Sequence, residues 1–425
     1  MNIAITAGRL IDPANGVNAQ QDLFIADGKV VAVGTAPAGF KAALTLDASG
    51  QVVIPGLVDL QAHLREPGLT HKGTIASETA AAAAGGVTTL CCPPITQPIL
   101  DTPAVARLVQ DRAKEAGFAR VLPLAALTRN LEGEQLSNMV ALRDAGCVAF
   151  TNLGQWVSNT QTLIRCCEYA ATHDLLLFVR AEEGTLSQGC AHDGATAMRL
   201  GLDGITETAE TVEVARFLLV AEETGVRIHF GQLSSQRSIA MIRDARARGL
   251  SVSADVAVHH LLLCDEDLDG FDSRFHLRPP LRSALDRAGL RDALASGSIV
   301  ALCSDHQPHE AAAKAAPFAA TETGMTGLET LLPLGLRLVE QGVLSLDELV
   351  ARLTTGPASV LGLPLGHLGV GASADLCIFD PAQEWQLSSA TLRSTGHNTP
   401  FSGQTLKGQV QTTLLGGRIV FQRGS

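Results

Sequence analysis

With 425 residues, the chain is long enough for one α/β barrel of about 250 residues and a smaller second domain. Its formal net charge of −11 at pH 7 comes without any block of like charge, which argues against nucleic acids and anionic membranes as partners. An apolar content of 46%, with only 4% aromatic residues and 41 glycines, favours an α/β protein packed from alanine, valine and leucine.

The N-terminal segment MNIAITAGRLIDPANG has neither the basic region nor the apolar stretch of a signal peptide. Elsewhere, no run approaches the roughly 18 uninterrupted apolar residues of a membrane-spanning helix. We therefore expect a soluble, cytoplasmic protein. Its nine cysteines lie mostly within apolar patterns, and neither adjacent pair, at 91–92 or 166–167, has the spacing of a zinc site. Buried, reduced thiols are the expected state in that compartment.

Residues 1–54 alternate as short strands with glycine or asparagine turns between them. The strand patterns are NIAITAGRLID, QDLFIADGKVVAVG and ALTLDASGQVVI. The same alternation of short strands and turns recurs in residues 364–425, in ADLCIFDP and GQVQTTLLGGRIVFQRG. We predict that these two terminal segments fold together as one small composite β-sandwich domain.

Between the two terminal segments, residues 55–363 alternate apolar strand-like runs with stretches long enough for a helix. The eight runs are GLVDLQAHL, GVTTLCC, VLPLAAL, CVAFTN, LLLFVRA, VRIHFGQ, SVSADVA and SIVALCSD, and the helical stretch RSIAMIRDARARG follows the sixth. Eight parallel strands alternating with helices are typical of a (β/α)8 TIM-type barrel. The active site of such a barrel lies where the strands end, so the last residues of each run are the candidate site residues.

Polar residues follow several of these runs. On the first strand, Gln61, His63 and Arg65 share one side of the alternation. Two histidines spaced i, i+2 on a strand would form half of a metal site, but glutamine stands in the first of those places. The other candidates are Ile95 beyond the second strand, Asn152 and Leu153 after the fourth, Arg180 after the fifth, Gln232 after the sixth and Asp305 after the eighth.

Several longer motifs resemble the dihydroorotase branch of the amidohydrolase superfamily. They are HLREPG (63–68), RPPLRS (278–283), SDHQPH (304–309), GMTGLETLLPL (324–334), LTTGPASVLGL (353–363) and STGHNTPFSG (394–403). The likeness covers essentially the whole chain. Active members of that family carry a binuclear zinc centre held by an HxH pair, a carboxylate or carboxylated lysine on the fourth strand, histidines on the fifth and sixth strands, and an aspartate on the eighth.

The resemblance implies that most of these ligands are missing here. The HxH pair corresponds to Gln61 and His63, the acidic fourth-strand turn to Asn152 and Leu153, the two later histidines to Arg180 and Gln232, and the aspartate to Asp305. Only His63 and Asp305 keep the chemistry of a ligand, whereas a catalytic zinc normally has three protein ligands. A permanently charged guanidinium at Arg180 would also repel a dication. We therefore expect no zinc, no other cofactor and no catalytic residue, with His63, Arg65 and Asp305 as remnants of the family site.

Substrate recognition is altered as well. Arg65, which in the family binds the substrate carboxylate, is present and serves either an anion or a neighbouring acid. The resemblance places Ile95 and Arg278 where the family has asparagines. We expect Arg180 to fill the vacated site and to pair with Asp305 or another acid. Asp305 is accordingly expected to form an ion pair with Arg180 or His63.

Five nearby residues receive simpler interpretations. His229 lies three positions before Gln232, an odd offset that predicts the opposite face of the strand and so no replacement ligand. Glu182 and Glu183 are expected to be solvated loop acids. His259 and His260 match a family segment outside the metal shell, where a packing or hydrogen-bonding role is expected.

These residues favour a catalytically inactive pseudoenzyme. Such chains are similar to the non-catalytic subunit that some bacteria pair with aspartate carbamoyltransferase, the preceding enzyme of pyrimidine biosynthesis. The resemblance implies the catalytic chain of aspartate carbamoyltransferase as partner, and a homodimer within a larger hetero-oligomer. The alternative is a divergent amidohydrolase, mononuclear or free of metal, that acts on another cyclic amide or ureide.

Overall fold

In the computed structural model, which describes residues 1–424, strands from both ends of the chain build two sheets. One sheet has, in spatial order, the strands Lys29–Val33, Leu23–Ala26, Ile3–Thr6 and Leu44–Asp47. The other has Arg418–Gln422, Thr405–Leu415, Leu376–Gln386, Val52–Pro55, Arg9–Asp12 and Val17–Gln20. Apolar side chains from both sheets, including Ile3, Ile25 and Val53, form one buried cluster.

The hairpins of this sandwich follow from their turn residues. Asp27 and Gly28 both have positive φ, at 49° and 78°, which is the backbone of a type I′ turn and suits a two-residue hairpin. Gly416 and Gly417 also have positive φ, at 55° and 71°, and form the equivalent turn between the last two strands. The antiparallel pairing of Leu376–Gln386 with Val52–Pro55 joins the two terminal segments. The composite origin predicted for this sandwich is therefore confirmed.

Eight parallel strands form the third sheet, and they are numbered first to eighth in chain order below. They are Leu57–Asp59, Val87–Cys92, Arg120–Ala126, Ala149–Thr151, Leu176–Val179, Arg227–Phe230, Val252–Ala257 and Ala301–Cys303. The sheet closes just beyond the first and eighth strands, where the backbone N–H of His63 donates to the carbonyl of His306 over 2.8 Å. All eight predicted strands are present, and the TIM-type barrel is confirmed.

Helices surround the barrel strands. They span Ile75–Ala84, Pro103–Ala116, Met139–Asp144, Thr160–Thr172, Ala195–Leu200, Thr208–Thr224, Gln236–Ala247, Ala284–Ala295, Leu331–Glu340, Leu346–Leu353 and Thr355–Leu361. Side-chain caps begin several of them; Ser235, for example, accepts hydrogen bonds from the backbone of Arg237 and Ser238. Over residues 1–424, no helix has both the length and the apolar character needed to cross a membrane.

The barrel is filled by side chains. Val58, Cys91, Leu124, Phe178 and Ala301 come from different strands and belong to one buried cluster. Small and medium side chains suit such an interior, as the low aromatic content predicts. All nine cysteines are buried and unpaired, as expected.

Candidate functional site

The carboxyl ends of the barrel strands open into a cavity with two lobes. The mouth lobe, of about 580 Å³, is lined by His63, Arg65, Ile95 and His309 among others. The side lobe, of about 540 Å³, is lined by residues that include Asn152, Leu153, Trp156 and Glu213. Four residues, Arg180, Gln188, Arg278 and Thr323, line both lobes. Of the predicted site residues, Gln61, Gln232 and Asp305 are buried and line neither lobe.

Gln61 and His63 form a neutral pair at the end of the first strand. The side-chain amide of Gln61 donates to Nε2 of His63 over 3.2 Å, and both side chains are buried. Burial, together with the positive charges of Arg65 and Arg180, holds the pKa of His63 well below its usual range. The imidazole is therefore neutral, and its Nε2 lone pair is engaged by an amide.

Asp305 lies beyond the eighth strand in a left-handed backbone conformation, with φ of 45°. Its carboxyl accepts a hydrogen bond from the side chain of Gln307 over 3.1 Å. Burial raises the pKa of Asp305 to about 7, against the opposing effect of the Arg180 charge. The predicted ion pair with Arg180 or His63 is wrong, because Arg180 reaches a different acid.

That acid is Glu182. Its Oε2 lies 3.4 Å from Nη2 of Arg180, and its Oε1 lies 2.6 Å from Nε of Arg278. The backbone carbonyl of Ser187 accepts from Nη2 of Arg278 over 2.7 Å, which ties Arg278 to the loop that follows the fifth strand. The expectation that Arg180 pairs with a nearby acid is confirmed.

The interpretation of Glu182 and Glu183 as solvated loop acids is wrong. Glu182 is largely enclosed because it bridges two guanidinium groups, that of Arg180 after the fifth strand and that of Arg278 in the RPPLRS segment. Glu183 is buried because its carboxylate accepts hydrogen bonds from the backbone of Thr185 and Leu186 and so holds the turn. The sequence carried no signal for either role, since the partners of Glu182 are brought together only by the fold.

His229 is inside the barrel, which corrects the prediction that it faces away from Gln232. Nε2 of His229 lies 2.9 Å from Oδ2 of Asp255, and the backbone N–H of Gln232 donates to Oδ1 of the same carboxylate over 2.7 Å. Strand alternation fails here because Gln232 has a left-handed backbone, with φ of 51°. Nδ1 of His229 is engaged by Ser253, so both ring nitrogens have partners and neither replaces the missing ligand.

The fourth-strand residues serve the structure of a loop. Oδ1 of Asn152 accepts from the backbone N–H and the hydroxyl of Thr128, and its amide donates to the carbonyl of Leu131. Asn152 therefore ties the fourth strand end to the loop after the third. Leu153 and Ile95 present apolar surface to the side lobe and the mouth lobe respectively.

Arg65 is a buried guanidinium whose contacts are all neutral. Its Nε donates to the carbonyl of Pro308 over 3.1 Å, and its Nη2 lies 3.1 Å from Nε2 of His309. Burial and the charges of Arg65 and Lys72 lower the pKa of His309 to about 3, so this histidine is neutral. Of the two roles left open for Arg65, pairing with an acid is not observed among residues 1–424.

The two adjacent histidines of the HHL segment have the packing role expected of them. His259 and His260 are buried with ring centroids 4.6 Å apart, and Nε2 of His260 lies 3.2 Å from the carbonyl of Pro279. They support the turn at the RPPLRS motif.

Other family motifs form a buried network behind the eighth-strand loop. Nε2 of His306 lies 2.9 Å from Oε2 of Glu78, whose carboxylate also accepts from the hydroxyl of Ser394 over 2.6 Å. The side chain of Asn398 accepts from the backbone of His309 and donates to the carbonyl of Gln307. These contacts join the SDHQPH and STGHNTPFSG motifs and fix the shape of the loop.

The donors at the strand ends do not fit zinc. They comprise an amide-bound imidazole, one buried carboxyl whose pKa is raised, a guanidinium and three carboxamides. Throughout residues 1–424, no group of three or more histidine, cysteine or acidic side chains is placed to hold a metal ion.

Comparisons with known proteins identify related chains. Residues 50–238 match the family model described as dihydro-orotase-like. A dihydroorotase-like protein of Pseudomonas aeruginosa is 54% identical, in a match covering 99% of this chain and 100% of that protein. A dihydroorotase of Anaeromyxobacter dehalogenans is 44% identical over 99% of this chain and 98% of its own length. The solved structure of L-hydantoinase (dihydropyrimidinase) from Arthrobacter aurescens matches with a TM-score of 0.88 and 26% identity, covering 100% of this chain and 96% of that one.

Proposed function

The chain belongs to the dihydroorotase-like family, and we propose that it is a catalytically inactive member that acts as an assembly subunit of aspartate carbamoyltransferase in pyrimidine biosynthesis. The observation that carries the proposal is the ion pair between Arg180 and Glu182 at the barrel mouth, where the family resemblance calls for a zinc-binding histidine.

Hydrolysis of a cyclic amide by the family's chemistry needs a metal-activated hydroxide and a polarised carbonyl. A guanidinium supplies positive charge at Arg180, but it cannot bind a water molecule as a Lewis acid does. The two surviving ligand residues of the family site are engaged elsewhere, His63 by Gln61 and Asp305 by Gln307. No group in this arrangement activates water by the route that the family uses.

The buried contacts that maintain the fold around this site, in contrast, are present. The buried contacts of Glu78, His306 and Ser394 hold the loop beside the former site, although none of them performs chemistry in this proposal. A chain that keeps such a network without its metal ligands is suited to a binding role. The family resemblance supplies the partner, and dimers of this chain that bridge carbamoyltransferase trimers would give a closed assembly. We expect each obligate interface to bury roughly 2,000 Å² or more.

Co-expression with the carbamoyltransferase of the same cell tests the proposal. Size-exclusion chromatography with light scattering is expected to show one large complex, and carbamoyltransferase activity is expected to depend on this chain. The double variant His63→Ala, Asp305→Ala serves as the control, because removal of both surviving ligand residues leaves assembly intact if the role is structural. Separate elution at micromolar concentration, with a carbamoyltransferase that works normally alone, would contradict the scaffold role.

An alternative is a divergent amidohydrolase that acts on a cyclic amide or ureide. Two observations favour it: the mouth lobe is an open cavity of about 580 Å³, and a relative at 44% identity is named dihydroorotase. Assays with dihydroorotate and hydantoin decide between the two functions. Turnover that scales with the concentration of this chain and is abolished in Asp305→Ala would favour the enzyme.

A further inference from the structure

We propose that Arg180 and Arg278 bind a phosphate dianion, free or as a monoester, at the junction of the mouth lobe and the side lobe. This inference goes beyond the assembly role and does not depend on it. The two residues stand where the family resemblance calls for a histidine and an asparagine, so the site is a feature of this chain.

The geometry at the junction leaves one hydrogen-bond donor without an acceptor. Arg180 and Arg278 line both lobes, and their side chains are 11% and 30% exposed. The Nε of Arg180 is buried and has no hydrogen-bond partner within residues 1–424. A buried guanidinium that is not fully hydrogen-bonded is costly, and an anion that contacts the exposed parts of both side chains would offset part of that cost.

The charges of the side chains around the cavity favour an anion. Arg65, Arg180 and Arg278 contribute three positive charges. The single negative charge of Glu182 is shared between Arg180 and Arg278. Lys72 is matched by Glu322 at 2.5 Å and is therefore already paired. Asp203, an exposed residue that also lines the mouth lobe, contributes another negative charge. A surplus of one positive charge remains among these side chains.

Phosphate suits two guanidinium groups better than a second carboxylate does. A carboxylate oxygen of Glu182 lies 2.6 Å from Nε of Arg278, whereas the other lies 3.4 Å from Nη2 of Arg180. One planar carboxylate therefore does not satisfy both guanidinium groups equally. A phosphate presents three terminal oxygens around a tetrahedral centre and can accept from both forks at once. The side lobe, of about 540 Å³, leaves room for the organic group of an ester beside Gln188.

Titration calorimetry on the purified chain at pH 7.5 and constant ionic strength tests the site. Inorganic phosphate and glycerol 3-phosphate are the two phosphate probes, and succinate is the dicarboxylate comparison. We expect saturable binding of one phosphate group per chain, with weaker binding of succinate. Arg180→Gln and Arg278→Gln each remove charge-assisted hydrogen bonds, so each is expected to weaken binding by about tenfold or more.

Two further variants keep the test decisive. Glu182→Gln removes the competing carboxylate and is expected to tighten phosphate binding, a direction that partial unfolding does not produce. Arg199→Gln is the matched control, because Arg199 is an exposed arginine that pairs with Asp269. Absence of saturable phosphate binding, unchanged affinity in Arg180→Gln, or tighter binding of succinate than of phosphate would each overturn the proposal.

Discussion

At the scale of single residues, Arg180 shows how one replacement changes the chemistry of a barrel mouth. A neutral histidine at this position could share its lone pair with a cation, whereas a guanidinium is always charged and only donates. The positive charge of Arg180 also helps to lower the pKa of His63 and opposes the rise in the pKa of Asp305. The residue therefore alters the electrostatics of the positions that the resemblance identifies as surviving ligands.

Restoring one ligand should not restore the enzyme. In Arg180→His, the shell still has Gln61, Gln232 and no fourth-strand carboxylate, so we expect neither stoichiometric zinc nor dihydroorotase turnover. Elemental analysis after expression with added zinc and an assay of dihydroorotate hydrolysis check the two results. Gln232→His and Gln61→His are parallel variants with the same expected outcome. Tightly held zinc in the unmodified chain would refute the argument from ligands.

Glu329 is a buried acid whose titration should affect stability. Its carboxyl accepts hydrogen bonds from the backbone N–H groups of Arg393 and Ser394, over distances of 2.9 to 3.1 Å. Burial raises its pKa to about 7, and these hydrogen bonds oppose the rise. Between the ordinary glutamate pKa of about 4.3 and this value, the folded state binds more protons than the unfolded state. The free energy of unfolding contributed by Glu329 therefore falls as pH rises through this range.

Glu329→Gln should remove this pH dependence. Between pH 5 and pH 8, we expect the free energy of unfolding of the wild type to fall more than that of the variant, by up to about 3 kcal/mol. Urea unfolding at several pH values measures the difference. Glu340→Gln is the control, since Glu340 is a half-exposed acid that pairs with Lys407. Parallel pH profiles for the wild type and Glu329→Gln would show that the buried carboxyl does not titrate as argued.

At the scale of elements, Trp156 joins two strand-end loops to a helix. Its indole N–H donates to Glu213 over 3.2 Å, and the guanidinium of Arg216 lies 5.7 Å from its ring centroid. The ring also packs against Gly184, where a Cβ would lie 2.9 Å from Cε3 of Trp156. The loops after the fourth and fifth strands thus meet at a glycine that leaves no space for a side chain.

Gly184→Ala should separate these two loops. The added methyl group overlaps the indole, so we expect a loss of stability of about 1–3 kcal/mol and a change in the emission of Trp156. Fluorescence in a Trp385→Phe background isolates this signal, because the chain has only two tryptophans. Gly231→Ala is the matched control, since a Cβ there meets nothing closer than 3.6 Å. Equal stability of Gly184→Ala and Gly231→Ala would show that the contact with Trp156 is easily relieved.

The elements themselves could be predicted from the sequence, whereas the contacts between strand ends could not. Apolar runs such as LLLFVRA become strands because their side chains are buried on both faces of the barrel wall. Alternation failed at Gln232, where a left-handed residue interrupts the strand geometry. The role of Glu182 was missed because Arg180 and Arg278 are 98 positions apart and meet only in the folded barrel.

At the scale of the whole molecule, hydrogen bonds from the C-terminal segment connect the sandwich to the barrel. The segment that returns to the sandwich passes the barrel mouth, where Asn398 binds the backbone of His309 and Gln307. Within the sandwich, the hydroxyl of Thr413 donates to the carbonyl of Ala83 in the first helix of the barrel, over 2.7 Å. The C-terminal segment therefore supports both the terminal sheets and the loop of the eighth strand.

Deletion of residues 364–425 should consequently abolish folding of the whole chain. The deletion removes three of the six strands in the larger terminal sheet and leaves the edge of Val52–Pro55 without its partner. It also removes Ser394 and Thr395, which together supply three hydrogen bonds to the buried carboxylate of Glu78, and a buried polar group left unsatisfied costs about 1–3 kcal/mol. We expect the truncated chain to be insoluble or to lack a cooperative thermal transition by circular dichroism, whereas removal of residues 424–425 alone should leave both solubility and the transition unchanged. A truncated chain that unfolds cooperatively near the wild-type temperature would show that the barrel is independent of the sandwich, and the C-terminal motifs would then need another explanation, such as direct contact with a partner.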